Sequence, residues 1–152
     1  MKIDYDPLKE FLHKNKNNKI LLFGFTYMIW EYFINNLKKN KNKIDLKNSI
    51  LIHGGGWKKI ENKNISKEVF KKTLKNFTGI SEIYDYYGMV EQTGSIFFEC
   101  KYNYFHSSIF SDIIIRNPKD FSVCKYNQKG IIQSLSILPK SYPGHSILTE
   151  DE

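Results

Sequence analysis

Short continuous apolar runs alternating with amphipathic stretches at helical spacing are what most constrain this chain. Residues 20–23 (Ile-Leu-Leu-Phe) form one such run, and residues 49–53 and 81–86 are the next two strand-like stretches, mixed in polarity. Runs of this length with β-branched and aromatic residues read as strands, and the first reads as a strand buried on both faces. Between them, Trp30, Phe33, Ile34 and Leu37 recur at i, i+3, i+4 and i+7. That spacing predicts a helix with one face packed on a sheet, with Thr26 as its cap. Val69, Phe70, Thr73, Leu74 and Phe77 mark the buried side of a further helix, capped by Ser66 and ended by Gly79. An earlier helix is expected to start at Asp6-Pro7, an N-cap residue followed by proline at the first helical position. Leu8, Phe11 and Leu12 are its apolar stripe.

The first ~90 residues therefore read helix, strand, helix, strand, helix, strand, the pattern of an α/β chain with a mainly parallel, helix-covered sheet. After Gly94 the pattern changes. Residues 96–98, 113–115 and 131–138 are β-rich runs separated by turn signals such as Asn117-Pro118 and Lys129-Gly130, so a β-rich segment follows. The expected arrangement is one partial domain over residues 1–152.

Charge needs a separate argument. The chain carries a net charge of +7, which invites a nucleic-acid reading. Of its 23 basic residues only Arg116 is arginine, and alanine is absent, a composition typical of AT-rich coding. Scattered lysines supply no bidentate clamp for phosphate or guanine, so no nucleic-acid partner is expected. Cys100 and Cys124 match neither a disulfide framework nor a zinc spacing, and a reduced, cytoplasmic compartment is the default. Residues 20–37 are dense in apolar side chains but contain Gly24, Thr26 and Glu31, so no membrane span is expected.

In an open parallel sheet, ligands bind at the carboxyl ends of the strands. Two consecutive strands here end in unusual loops. One reads His53-Gly54-Gly55-Gly56-Trp57-Lys58-Lys59, the other Tyr86-Tyr87-Gly88-Met89-Val90-Glu91-Gln92-Thr93-Gly94. Glycine lets a backbone approach a ligand closely, an aromatic can stack on a base, and a carboxylate can hold Mg2+. Taken alone, each piece is ordinary: three glycines make a turn, and the first loop lacks the Gly-Lys-Ser/Thr ending of a phosphate loop.

Their order is more informative. Gly54-Gly55-Gly56 is followed by Tyr87-Gly88-Met89-Val90-Glu91, then Gly130-Ile131-Ile132, then Thr149-Glu150-Asp151. This series resembles the adenylate-forming superfamily of acyl and aryl ligases. The wording of residues 53–59, 85–94 and 141–151 resembles its LuxE-type acyl-protein synthetase branch, over essentially the whole chain. The resemblance implies ATP and Mg2+ as cofactors and a (fatty) carboxylic acid as substrate. The acid is activated as an acyl-adenylate and passed to a protein thiol, with an acyl-accepting protein or reductase as partner.

By the same resemblance Gly54, Gly55, Gly56 and Gly88 line the cofactor pocket and Tyr87 stacks on adenine. Glu91 is the catalytic and metal-binding carboxylate, and Asp151 holds the ribose hydroxyls. Val90 stands where the pattern has threonine, with Thr93 as a substitute for the α-phosphate contact, and Glu150 stands where the pattern has glycine. The triphosphate loop is expected upstream of Met1 and the catalytic lysine and acyl-accepting cysteine downstream of Glu152. The 152 residues thus read as a fragment with little ligase activity of its own. Related readings are a phenylacetate–CoA ligase-like enzyme, an acyl ligase for a surface polymer, and a non-catalytic adenylate-binding module.

Overall fold

The computed structural model describes residues 4–57 and 65–151. Lys58, Lys59 and Glu152 of the motifs above lie outside the described residues. The chain divides into two compact units, 1–85 and 86–152.

The first unit is built from alternating helices and strands: α1 (Tyr5–Lys14), β1 (Ile20–Phe25), a helical stretch, β2 (Ser49–Gly54), α4 (Lys67–Thr78) and the start of β3 (Glu82–Gly88). The helical stretch after β1 comprises α2 (Thr26–Met28), a π-helical segment (Ile29–Ile34) and α3 (Asn35–Asn40). Strands β1 and β2 run parallel, with Leu21 opposite Ile50 and Phe23 opposite Ile52, and β3 lies next to β2. The mainly parallel, helix-covered sheet expected from the alternation is what forms.

Local chemistry accounts for several boundaries. The Ser66 hydroxyl accepts a hydrogen bond from the Val69 amide (3.3 Å), and Gly79 closes α4 at φ 73°. A left-handed C-terminal residue favours glycine, and a Cβ there would come within 2.6 Å of the Lys47 side chain. At α1 the cap is Asp4 rather than Asp6, because the Asp4 carboxylate accepts from the Asp6 amide (3.2 Å). Pro7 then falls inside the first turn, where its missing N–H costs nothing.

The core gathers on one face of this unit. Trp30, Ile34 and Leu37 from the helical stretch meet Phe70 and Leu74 of α4, Leu51 of β2 and Ile83 of β3, with Leu8 and Leu12 of α1 packed against them. Val69 departs from the expected buried stripe and is exposed. On the other face, apolar side chains of β1 are largely exposed among the described residues. Strand β1 alternates instead of being buried on both sides, and Leu21 and Phe23 are 63% and 68% exposed. Both crossovers advance the sheet in one direction, β1 to β2 to β3, and right-handed crossovers of that kind lay their helices on a single face.

Exposed apolar side chains on β1 have a measurable consequence. Leu21→Lys is expected to change stability by no more than about 0.5 kcal/mol in urea unfolding, as for an exposed position. It should also lower the fluorescence of an apolar dye bound to the native chain. A loss of several kcal/mol would show that Leu21 is buried.

The second unit is mainly β. Tyr86, Tyr87 and Gly88 of β3 pair antiparallel with β4 (Ile96–Glu99), which pairs with β5 (Phe105–His106). A separate antiparallel sheet has the order β6 (Ser111–Arg116), β7 (Ile131–Ser136), β8 (Ser146–Leu148). The β-rich runs expected after Gly94 are all present as strands.

Candidate functional site

The loop after β2 in the first unit is shaped by glycine for steric reasons. Gly55 and Gly56 have φ of 76° and 57°. A Cβ on Gly55 would sit 2.8 Å from a ring carbon of Phe25, so a larger residue would be both strained and crowded. His53, just before the loop, is buried. Its Nδ1 lies 2.9 Å from the Thr26 hydroxyl and 3.7 Å from Asp85 Oδ1. Thr26 donates its one hydroxyl proton to the Gly54 carbonyl (3.0 Å). The hydroxyl must then accept from His53, which places a proton on Nδ1, where the acceptor-only Asp85 carboxylate also favours it. Thr26 is thus the first residue of α2 with its side chain committed to β2, and no side-chain cap closes that helix start. Lys67 Nζ stands 3.9 Å from the other Asp85 oxygen. Trp57 packs edge-on against Phe70 (5.6 Å between ring centres) and Trp30 (6.0 Å), so it covers the core of this unit.

In the second unit, residues far apart in sequence converge. Tyr87 and Gly88 are the last residues of β3, paired with Phe97 and Ile96. The Tyr87 phenol donates a hydrogen bond to Asp151 Oδ2 at 2.7 Å, across 64 residues of chain. Asp151 is held by backbone extension of the β7–β8 ladder. Thr149 N–H donates to the Ile132 carbonyl (2.9 Å), and Ile132 N–H to the Asp151 carbonyl (3.0 Å). The Asp151 amide donates in turn to the Thr149 hydroxyl (3.2 Å). Glu150 is not among the residues with positive φ, so its position does not demand glycine.

Burial pushes the Tyr87 phenol up to about 12, helped by the hydrogen bond to Asp151 and by that carboxylate's charge, with Thr149 acting in the opposite direction. A raised value means that the folded state holds the phenolic proton more tightly. The associated stability is present below about pH 10 and is lost as pH rises through about 12.

The loop from Met89 to Ser95 is pinned from three sides. The buried Gln92 carboxamide donates to the carbonyls of Ser134 (3.2 Å) and Gly144 (2.6 Å). It also accepts from the Ser95 hydroxyl, which in turn accepts from Ser134 Oγ (3.0 Å). Thr93 N–H donates to the Tyr142 oxygen (2.9 Å), and Ser136 Oγ donates to the Thr93 carbonyl (2.6 Å). Tyr142 donates to Thr93 Oγ at 3.3 Å, so the threonine keeps its own proton to give. Glu91 is exposed beside these pinned residues, while Val90 is 98% exposed and offers no polar atom.

Gln92, Tyr142 and Asp85 have no role legible in the sequence, and Thr26, expected as a helix cap, instead bonds His53 and the Gly54 carbonyl. Gln92 and Tyr142 lay within the motif wording, but nothing local distinguishes a buried carboxamide from an exposed one. Asp112, in β6, and Asp120, in the turn after it, are occupied by local hydrogen bonds. Asp112 accepts from the Ile113 amide, and Asp120 accepts from the amide and hydroxyl of Ser122.

A family model described as acyl-protein synthetase, LuxE, matches residues 3–152. The chain belongs to this family. It is 26% identical over 161 aligned residues to a long-chain-fatty-acid–luciferin-component ligase of Aliivibrio fischeri, covering 99% of this chain and 40% of that protein. The chain therefore spans less than half the length of that relative. Among solved structures, a long-chain-fatty-acid–CoA ligase of Archaeoglobus fulgidus superposes with a TM-score of 0.59 at 11% identity, over 88% of this chain and 27% of that one. An ATP-bound MatB from Rhodopseudomonas palustris gives 0.56 at 12%, over 89% and 25%. At these identities the two structures establish a shared fold. Among the described residues, no helix is long and apolar enough to cross a membrane, and no cluster of three or more His, Cys, Asp or Glu is placed to hold a metal.

Proposed function

We propose that these residues form a partial nucleotide- and acyl-binding domain of a LuxE-type ligase that activates a fatty carboxylic acid with ATP. A carboxylate oxygen attacks the α-phosphorus, the bond to the pyrophosphate oxygen breaks, and an acyl-adenylate and pyrophosphate result. The sulfur of a protein thiol, on the ligase itself or on an accepting partner, then attacks the acyl carbon in the cytoplasm, the thioester forms as the bond to the AMP oxygen breaks, and AMP and the thiol proton leave. The observation that carries this reading is the convergence of Tyr87 and Asp151 in one hydrogen bond, since these are the adenine and ribose positions of the motif series.

In this reading the Tyr87 ring stacks on adenine and Asp151 accepts from the ribose hydroxyls. The backbone at Gly54, Gly55, Gly56 and Gly88 gives a ligand close approach, and Thr93 donates to a phosphate oxygen. A lone exposed carboxylate such as Glu91 fits Mg2+ in the way that ion is usually held, by one or two carboxylates with substrate phosphates and waters completing the shell. The ion would offset charge developing on the phosphate oxygens.

Calorimetry with MgATP tests the proposal. Wild type should bind, and Tyr87→Ala and Asp151→Ala should each weaken binding by about tenfold or more, the scale of one lost base stack or charged hydrogen bond. Mutants that bind as well as wild type would remove the adenosine site from these residues. Pyrophosphate release when a fatty acid is added would exclude a non-catalytic adenylate-binding module.

A further inference from the structure

The motif series assigns Tyr87 by its ring and leaves its hydroxyl without a role. We infer that the Tyr87 hydroxyl is the positioning group for Asp151, holding the carboxylate ready for a vicinal diol and so favouring ribonucleotides over nucleotides without ribose hydroxyls. This deepens the adenosine reading above and rests on it.

The argument starts from exposure. Asp151 is exposed and follows directly on the β8 ladder, so its backbone is held while its side chain, left to itself, would sample several rotamers. The Tyr87 phenol stands 2.7 Å from Oδ2 and comes from β3, where Tyr87 is held by its pairing with Phe97. A tyrosine has few rotatable bonds, so this donor is itself well fixed. An ionised carboxylate only accepts hydrogen bonds and has about four lone-pair directions. One is taken by the phenol. Oδ1 and the second lone pair of Oδ2 remain, which matches the two hydroxyl donors of a cis-diol. The raised phenol value is consistent with this contact, because the neutral phenol is the form that can donate. Immobilising a carboxylate in advance removes an ordering cost that binding would otherwise carry.

The test separates ring from hydroxyl and diol from base. Affinities for MgATP and for Mg-2′,3′-dideoxy-ATP are measured on wild type, Tyr87→Phe and Tyr87→Ala. The expected result is that Tyr87→Phe weakens ATP by about fivefold, the scale of one side chain's ordering, and leaves dideoxy-ATP unchanged. Tyr87→Ala should weaken both. Equal losses for both nucleotides in Tyr87→Phe, or no loss for either, would overturn the inference. A second readout does not depend on binding. In protein labelled at the tyrosine ζ-carbon, with Tyr87→Phe to assign the signal, the Tyr87 resonance should titrate near 12 and move down toward 10 in Asp151→Asn. A midpoint unmoved by that substitution would show that the contact is not made in solution. If the contact titrates as expected but wild type binds neither nucleotide, the adenosine reading fails and takes the positioning role with it.

Discussion

Phe70→Ala is expected to destabilise the first unit by about 4 kcal/mol, the range for removing a fully buried aromatic ring. Phe70 is 1% exposed and is the largest of the fully buried side chains among the described residues. Its ring lies 4.8 Å from that of His53, 5.6 Å from Trp57 and 6.2 Å from Trp30. Losing it would open a cavity under the glycine loop and leave three aromatic neighbours without their common partner. The only two tryptophans of the chain touch this ring, so urea unfolding followed by their fluorescence reports on the affected region directly. Phe70→Leu, which keeps most of the volume, should lose much less. A cost below about 1 kcal/mol for Phe70→Ala would mean that the cluster is loosely packed.

Gln92→Leu is expected to cost about 3 kcal/mol, although leucine has nearly the right size. Each buried polar group left without a partner costs about 1–3 kcal/mol, and the substitution removes the Gln92 bond to the Gly144 carbonyl, the acceptor of the Ser95 hydroxyl and a bond to the Ser134 carbonyl. Gln92→Glu keeps the acceptor for Ser95 but loses both donors and buries a charge, so it should fare no better. The second unit contains no tryptophan, so far-UV circular dichroism in denaturant is the suitable probe for the size of the loss. Amide exchange adds location, with protection expected to fall first near residues 92–95, 134 and 144. Stability within about 0.5 kcal/mol of wild type would show that water or another group satisfies these atoms without Gln92.

These two positions also mark where the sequence is legible and where it is not. Phe70 was assigned to the core because helical spacing alone places it beside Leu74 and Phe77, and the core forms there. Val69, one residue earlier, was assigned to the same stripe and is exposed. A stripe about 100° wide tolerates an error of one residue at its edge, and only the packing partner decides which flank is covered. Gln92 carried no signal at all. A carboxamide is equally at home in water, and its three partners come from residues 95, 134 and 144.

The sequence by itself determined the alternation of helices and strands, the Ser66 and Gly79 ends of α4, the β-rich second half and the ordered motifs of the LuxE family. All of these rest on interactions within a few residues, or on spacing that repeats along one element. Only the tertiary structure decided that β1 presents Leu21 and Phe23 outward, since exposure depends on which face the crossovers cover. It also decided that the Thr26 hydroxyl serves β2 instead of capping a helix, because a partner 27 residues away outcompetes the local amide. Above all, it brought Tyr87 to Asp151. Each was legible as a motif position, but a hydrogen bond between residues 64 apart is a property of how the strands pair, which no local pattern encodes.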